Sequence, residues 1–303
     1  METALAFVAQ VIRISIPYGL GAVGGAFSER GGVVNIALEG IFLVGAFGAV
    51  WGTIGTGSPW LGLLTGVCAG LLLAAIHALV TVRGKADQIL SGLALNLLAV
   101  GATRSLLKLL YGSASNSPRI EGITGLGLHL PPGFEAVAEI VSSPFFILAV
   151  IAIVAGEALL FGTGFGLALR AAGDGPRALD GAGLSVGNLR VTGVLLSGVF
   201  GGLAGSWLAM EQHNFTDGMS SGRGYIALAA MIVGKWRPLG GALACLLFGA
   251  AETLQIRIHS DKLPSQFLQM TPYLVTLVVL AGWIGRATPP RALGEAYDRE
   301  SAE

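Results

Sequence analysis

Ser28 to Gly40 reads SERGGVVNIALEG and lies between two apolar runs. It carries the adjacent pair Glu29–Arg30, then Gly31-Gly32, then Asn35 and Glu39 four residues apart. Residues at i and i+4 share one helical face. A charge near the centre of a bilayer costs at least about 2.5 kcal/mol, so such a residue faces a cavity or a partner. One reading makes Asn35 and Glu39 the wall of a polar path. The other has Glu39 pairing with an arginine such as Arg30, or capping a broken helix. Gly31 and Gly32 are expected to mark a break between two half-helices. The second half-helix would start near Val33, with Asn35 in its first turn and Glu39 one turn further on. Its N-terminal end carries free N–H groups and partial positive charge. On this reading Glu39 chiefly orients the break and Asn35 makes the contact with whatever passes.

The surrounding composition fits a membrane setting. Of 303 residues, 53% are hydrophobic and only 12% charged, against about 25% charged in soluble domains. The expected fold is an all-α polytopic membrane protein. Spans of about 20 apolar residues are read at 5–26, 35–54, 59–82, 88–110, 144–165, 190–210, 224–235, 238–257 and 268–285, nine in all. The seventh is too short to cross alone and reads as a half-helix covered by protein or water. With the N-terminus outside, eleven of the eighteen Lys and Arg fall on the inner side, which is the expected bias. Residues 1–286 form the membrane domain. Residues 111–143 read as an irregular outer loop, and 287–303 as a polar, disordered cytoplasmic tail.

The 47 glycines suit close helix packing. Small-xxx-small pairs occur at Gly21/Gly25, Gly48/Gly52, Gly162/Gly166, Gly198/Gly202 and Gly201/Gly205. Asn35 opens NIALEGIFLVG and Tyr225 opens YIALAAMIVG, both after an Arg–Gly, a faint internal echo. Such echoes with broken helices accompany inverted-repeat transporters.

Several function classes fall away. Net charge is zero, so no basic footprint points to nucleic acid. No GxSxG, HExxH or GxxxxGK[ST] occurs, so no catalytic residue is assigned and the chain is not expected to hydrolyse ATP. Cys68 and Cys245 sit in apolar stretches and the four histidines are scattered, so no metal site is expected. In the fourth span Gln88, Gly92 and Asn96 recur every four residues, as a path wall or a hydrogen-bonded helix contact. His77 reads as a packed or interfacial histidine.

Residues 166–190 are too polar to span. GLALRAA forms one short helix, Gly173-Asp174-Gly175 breaks it, and Pro176 opens a second. Two short helices make a rigid knob on the basic side.

Taken together, SERGGVVNIALEG, DQILSGLALNLLAVG, LRAAGDGPRALDGAGLSV and GMSSGRGYIALAAMIVGKWRPLGGALACLLFGAAETLQIR resemble the blocks of permease subunits in bacterial ABC importers for simple sugars and nucleosides. The wording is nearest to the nucleoside branch. The resemblance implies a fold like that of the cobalamin-type importers and a multi-pass protein of the cytoplasmic (inner) membrane. It implies two permease subunits around a central path, identical or paralogous. It further implies a separate ATP-binding cassette subunit holding ATP and Mg, and an extracytoplasmic substrate-binding lipoprotein. The 166–190 knob would be the coupling helix, with Arg170, Asp174, Pro176, Arg177 and Gly183 matching its motif. The substrate path would take Asn35, Glu39, Gln88 and Asn96. The expected function is nucleoside translocation by alternating access. A pentose or another sugar in the same machine, or an ion-coupled secondary transporter using Glu39, are the alternatives.

Overall fold

The computed structural model describes residues 2–127, 134–257 and 288–298, together with Met270 and Leu274. Among the described residues eleven α-helices follow one another: α1 (Glu2–Arg30), α2 (Leu38–Thr56), α3 (Pro59–Ala78), α4 (Gln88–Tyr111), α5 (Glu135–Val141), α6 (Pro144–Gly162), α7 (Gly164–Asp174), α8 (Pro176–Gly181), α9 (Val186–Gln212), α10 (Arg223–Val233) and α11 (Pro238–Arg257). A π-helical turn, Leu79–Arg83, extends α3. Among the described residues the only β pairing is an isolated bridge between Asn116 and Thr216.

Local chemistry sets the boundaries. Proline opens α3, α6 and α8, where its missing N–H costs nothing and its fixed φ suits a helix. Asp87, Thr163 and Ser185 cap α4, α7 and α9 by accepting from Leu90, Gly166 and Asn188 N–H. Left-handed Gly57 and Gly112 end α2 and α4.

Among the described residues, seven helices are long and apolar enough to cross a membrane: α1, α2, α3, α4, α6, α9 and α11. They coincide with seven of the nine expected spans. The short seventh segment, expected at 224–235, is α10, whose 11 residues extend about 16 Å, half the hydrocarbon thickness. The ninth, expected at 268–285, lies outside the described residues. The outer loop is less irregular than expected, because α5 lies within it and packs on α1 through an Arg13–Glu139 pair at 2.9 Å.

The core forms where α1, α2 and α9 meet, with α3 laid across α2 and α9. Glycines set the spacing. A Cβ at Gly202 would stand 2.8 Å from the Gly66 carbonyl oxygen of α3, and one at Gly205 would stand 2.1 Å from the Phe42 oxygen of α2. Gly21/Gly25 and Gly48/Gly52 are packed in the same way, against α10 with Phe42 and against Thr65, whereas Gly162 has open space around it.

The tail departs from expectation. Residues 288–298 return to the bundle: Ala292 N–H donates to Gly173 O at 2.8 Å, Gly294 N–H to Gly32 O at 3.2 Å, and Lys85 pairs with Asp298 at 2.6 Å. The cause is Arg190, which is only 2% exposed. Its guanidinium needs acceptors, and Glu295 O supplies one at 2.6 Å. Tyr297 packs on the small cluster of Ala172, Leu179 and Val186.

Close packing of α9 makes a contrast between two glycines. Overpacking of this kind costs about 1–3 kcal/mol or more, so Gly202→Leu should lose most of the monodisperse peak in detergent size-exclusion chromatography. Gly162→Leu should keep the peak at the wild-type level. Equal behaviour of the two would refute the packing scheme.

Candidate functional site

α1 stops at Arg30 and α2 does not begin until Leu38, leaving residues 31–37 unwound. Gly32 takes φ +91°; a side chain there would be strained and would also meet Arg190 and Gly173. Unwound backbone at membrane depth must find partners inside the protein, and here it does. Gly32 and Val33 N–H donate back to Glu29 and Ser28 carbonyls at 2.9 and 3.1 Å, and Ser28 Oγ donates to Val33 O at 2.8 Å. Val34 N–H donates to Gln88 Oε1 at 2.7 Å, and His77 Nε2 lies 3.1 Å from Val34 O. Asn96 donates to Ile36 O at 3.0 Å and accepts from Gly40 N–H at 2.8 Å.

The break is therefore where the glycines were expected to put it, but the second half-helix starts at Leu38 rather than near Val33. Side chains of α3 and α4 supply the bonds that a helical turn would otherwise make. Asn35 accordingly lies before the helix, not in its first turn. It is fully buried and donates to Ser197 Oγ, while its own Oδ1 has no partner.

Glu39 does not meet Arg30. Its two carboxylate oxygens accept from Gly222 N–H at 2.7 Å and Gly224 N–H at 2.8 Å, at the N-terminus of α10. Arg30 sits at the other end of the same half-helix, donating to Lys235 O at 2.9 Å and Trp236 O at 3.1 Å. Each charge stands where the helix dipole favours its sign, and that separates the two. A Cβ at Gly224 would fall 2.6 Å from the Glu39 backbone, so the carboxylate reaches the helix end only because glycine stands there. Lys235 and Trp236 both have positive φ, 58° and 53°, strained for residues with a Cβ. Glu29 accepts from the Trp236 indole at 2.6 Å, and with Arg30 it fixes this exit. The two echo segments thus meet at the starts of α2 and α10.

Of the expected path residues, Gln88 and Asn96 are buried and their amides face the broken backbone. Glu29, Ser197, Trp236 and Tyr225 were not singled out from sequence for roles here. The Tyr225 ring is 43% exposed, and Asn96 Nδ2 donates to its hydroxyl at 2.9 Å. An aromatic one position after a glycine in an echo segment was the available signal for it.

The knob has the two short helices expected, but α7 runs on through Gly173 to Asp174, so Gly175 alone separates it from α8, which opens at Pro176. Arg177 and Gly183 are exposed, the latter left-handed at φ +82°. Arg170 lies over the Phe161 ring, 4.8 Å from its centroid, and Asp174 accepts from Arg291 N–H at 3.4 Å. The inner side of the knob presses on the break. A Cβ at Gly173 would stand 2.3 Å from Arg30 O and 3.0 Å from Gly32 N, and Arg190 donates to Ala172 O at 3.2 Å.

Comparison with known proteins gives this geometry a setting. The family described as "Branched-chain amino acid transport system / permease component" matches residues 7–282. The guanosine ABC transporter permease protein NupQ of Bacillus subtilis is 40% identical, over 93% of this chain and 92% of its own length. The nucleoside ABC transporter permease protein NupC of Lactococcus lactis subsp. cremoris is 40% identical over 98% of both chains. A putative glucose ABC transporter permease protein, TsgC13, of Haloferax volcanii is 32% identical over 93% of this chain and 94% of its own. No solved structure matches. With seven candidate spans and a family match along nearly its whole length, the chain belongs to this family of transport-system permease components, multi-pass proteins of the cytoplasmic membrane that are not themselves enzymes.

Proposed function

We propose that the chain is the membrane-spanning permease subunit of an ATP-driven ABC importer and moves a nucleoside by alternating access. The two relatives at 40% identity, named for guanosine and nucleoside transport, support the substrate class. The glucose-named relative supports a simple sugar as the second reading. The partners would be an ATP-binding cassette subunit holding ATP and Mg, a second permease subunit and an extracytoplasmic binding lipoprotein. A ninth span from 268–285 and a cobalamin-type fold belong to this same reading.

One observation carries the mechanism: Gly173 of the knob lies against Arg30 and Gly32 of the break. Arg170, Asp174, Pro176, Arg177 and Gly183 would form the surface that the ATPase moves. A shift of α7 has no slack at Gly173, so it moves the break and, through Arg30, the inner end of α10. Glu39 holds the other end, and α10 tilts as a unit. Its Tyr225 ring, half exposed beside Asn96, offers a face on which a nucleobase can stack. The buried amides of Asn35, Gln88 and Asn96 enter the path wall as the break opens, with the unpartnered Asn35 Oδ1 as the acceptor to be satisfied. Glu39 already accepts two N–H bonds and so has no need of a coupled ion, which favours the importer over a secondary transporter.

Reconstituted complex tested against a panel of nucleosides and sugars decides the substrate class. Nucleoside uptake with no pentose or hexose uptake is expected, and the reverse would overturn it. Base stacking on an aromatic contributes about 1–3 kcal/mol, so Tyr225→Ala should raise the nucleoside KM by about five-fold or more, with Tyr225→Phe much milder. An unchanged KM in Tyr225→Ala removes the ring from the path.

Charge reversal at Arg177 checks the coupling surface, since partners read such surfaces by complementary charge. Arg177→Glu should abolish uptake and ATPase co-purification while membrane insertion stays normal; survival of both defeats the assignment.

The Glu39 clamp gives a graded series. Glu39→Gln keeps an acceptor oxygen and should retain part of the uptake, whereas Glu39→Leu leaves the α10 N-terminus unpartnered and should cost about 1.5–3 kcal/mol for each charge-assisted bond lost. Near-complete loss in Glu39→Gln, with the small remaining flux insensitive to external pH, would instead make Glu39 an ion-coupling residue.

A further inference from the structure

Three arginines from three elements surround one phenyl ring. The guanidinium carbons of Arg30 at the end of α1, Arg170 in α7 and Arg237 before α11 lie 5.5, 4.8 and 4.6 Å from the centroid of Phe161, near the end of α6. The ring face is attractive to each cation, but the cations repel one another. Glu157 is buried and already accepts from Arg237 through Nε at 2.8 Å and through Nη2, and from Leu239 N–H at 3.2 Å. Asp174 also acts on Arg30, and it accepts from Arg291 N–H. Arg30 uses Nε and one Nη on the exit of α10, and Arg170 uses Nε on Gly166 O at 3.3 Å. Among the described residues, no acceptor bonds the two Nη groups of Arg170. A cluster with positive charge in excess of its carboxylates, and with the Nη edge of Arg170 open, suits a phosphate, which arginine binds through paired N–H donors.

The surroundings decide the source of that phosphate. α6 is the most apolar of the candidate spans and turns Ile151 and Val154 outward, while α11 does the same with Leu239 and Leu243. Between α1, α6 and α11 runs a crevice of about 270 Å³ lined by Ile12, Ile16, Phe146, Ile153, Cys245 and Leu246, with Ser15 as its polar side chain. Ser15 Oγ is occupied by Val11 O and Cys245 O at 2.7 and 3.0 Å, so the crevice offers nothing to a polar ligand. Ile153 precedes Phe161 on α6 by about 12 Å. The apolar slot and the cationic cluster therefore follow one seam, with charge at its end.

We propose that this seam binds an anionic phospholipid, its acyl chain in the crevice and its phosphate on Arg30, Arg170 and Arg237. Basic pockets between membrane helices on the cytoplasmic side take such headgroups. The lipid would neutralise the cluster at the joint between α6, α7 and the exit of α10.

The test uses the full chain, delipidated in detergent and supplied with phosphatidylglycerol or phosphatidylcholine, and reads bound lipid by native mass spectrometry. One phosphatidylglycerol should be retained under conditions that strip phosphatidylcholine, and Arg170→Gln should weaken that preference about five-fold. Ala242→Trp, which fills the crevice, should lower retention of both lipids. Equal retention of the two lipids by the wild type, or a preference unaffected by Arg170→Gln, overturns the proposal. So does displacement of the lipid by millimolar inorganic phosphate alone, which would make this a free-anion site. So does efficient disulfide formation between Ile153→Cys and cysteines placed singly through 274–282, which would put the chain's own segment in the crevice.

Discussion

A half-helix held at both ends by charge organises this permease. The carboxylate of Glu39 caps the start of α10, and the guanidinium of Arg30 holds the carbonyls just past its end. An 11-residue helix cannot reach across a bilayer, so at least one of its ends lies at a depth where unpaired N–H and C=O groups are costly. Charged groups meet that need better than neutral ones, because hydrogen bonds to ions contribute about 1.5–3 kcal/mol each and the dipole favours each sign at its own end. The question raised by SERGGVVNIALEG has this answer: the charges serve another helix, one that breaks the same rule.

Residues 31–37 repeat the problem and solve it with neutral groups. Gln88, Asn96, His77 and Ser28 bond the unwound backbone, and His77 is itself held by Ser91 Oγ at 3.1 Å. The polar stripe of α4 follows from this arrangement. Its two amides, Gln88 and Asn96, stand eight residues apart on one face with Gly92 between them, because the backbone they serve climbs alongside the helix. Such a joint has no surplus partners, so any movement of the break must exchange these bonds for others. That property suits a wall that opens and closes better than a rigid strut.

Much of this was legible in sequence wherever one element decides the outcome. Apolar runs located seven spans and the short α10 within a few residues, because length and hydropathy are local properties. Gly31-Gly32 marked the break for the same reason. What stayed hidden was pairing at long separation. Glu39 finds its partners more than 180 residues away at Gly222 and Gly224, while the sequence offered Arg30 nine residues off. Glu29 drew no role from its place beside Arg30, yet it serves the Trp236 indole. The tail looked disordered because its polarity was counted without regard to buried Arg190, whose demand for acceptors brings Glu295 back to the bundle.

That returning tail changes how the coupling region should be viewed. Ala292 bonds the carbonyl of Gly173 in the knob, Gly294 bonds the carbonyl of Gly32 in the break, and Arg190 bridges Ala172 to Glu295. Knob, break and tail thus share backbone hydrogen bonds, which fix relative position more tightly than side-chain contacts between mobile surfaces. The Gly173 approach to Arg30 leaves no room for a methyl group, so a push on α7 cannot be absorbed by local compression. Packed cores shift between discrete arrangements instead of deforming continuously. On the proposed function, a force applied at the exposed Arg177 would pass to Gly32 and Arg30 as displacement of a unit, and Arg30 would hand it to the inner end of α10. The charges that allow a half-helix to exist inside the membrane are thus also the ones that tie it to the surface where a partner would pull.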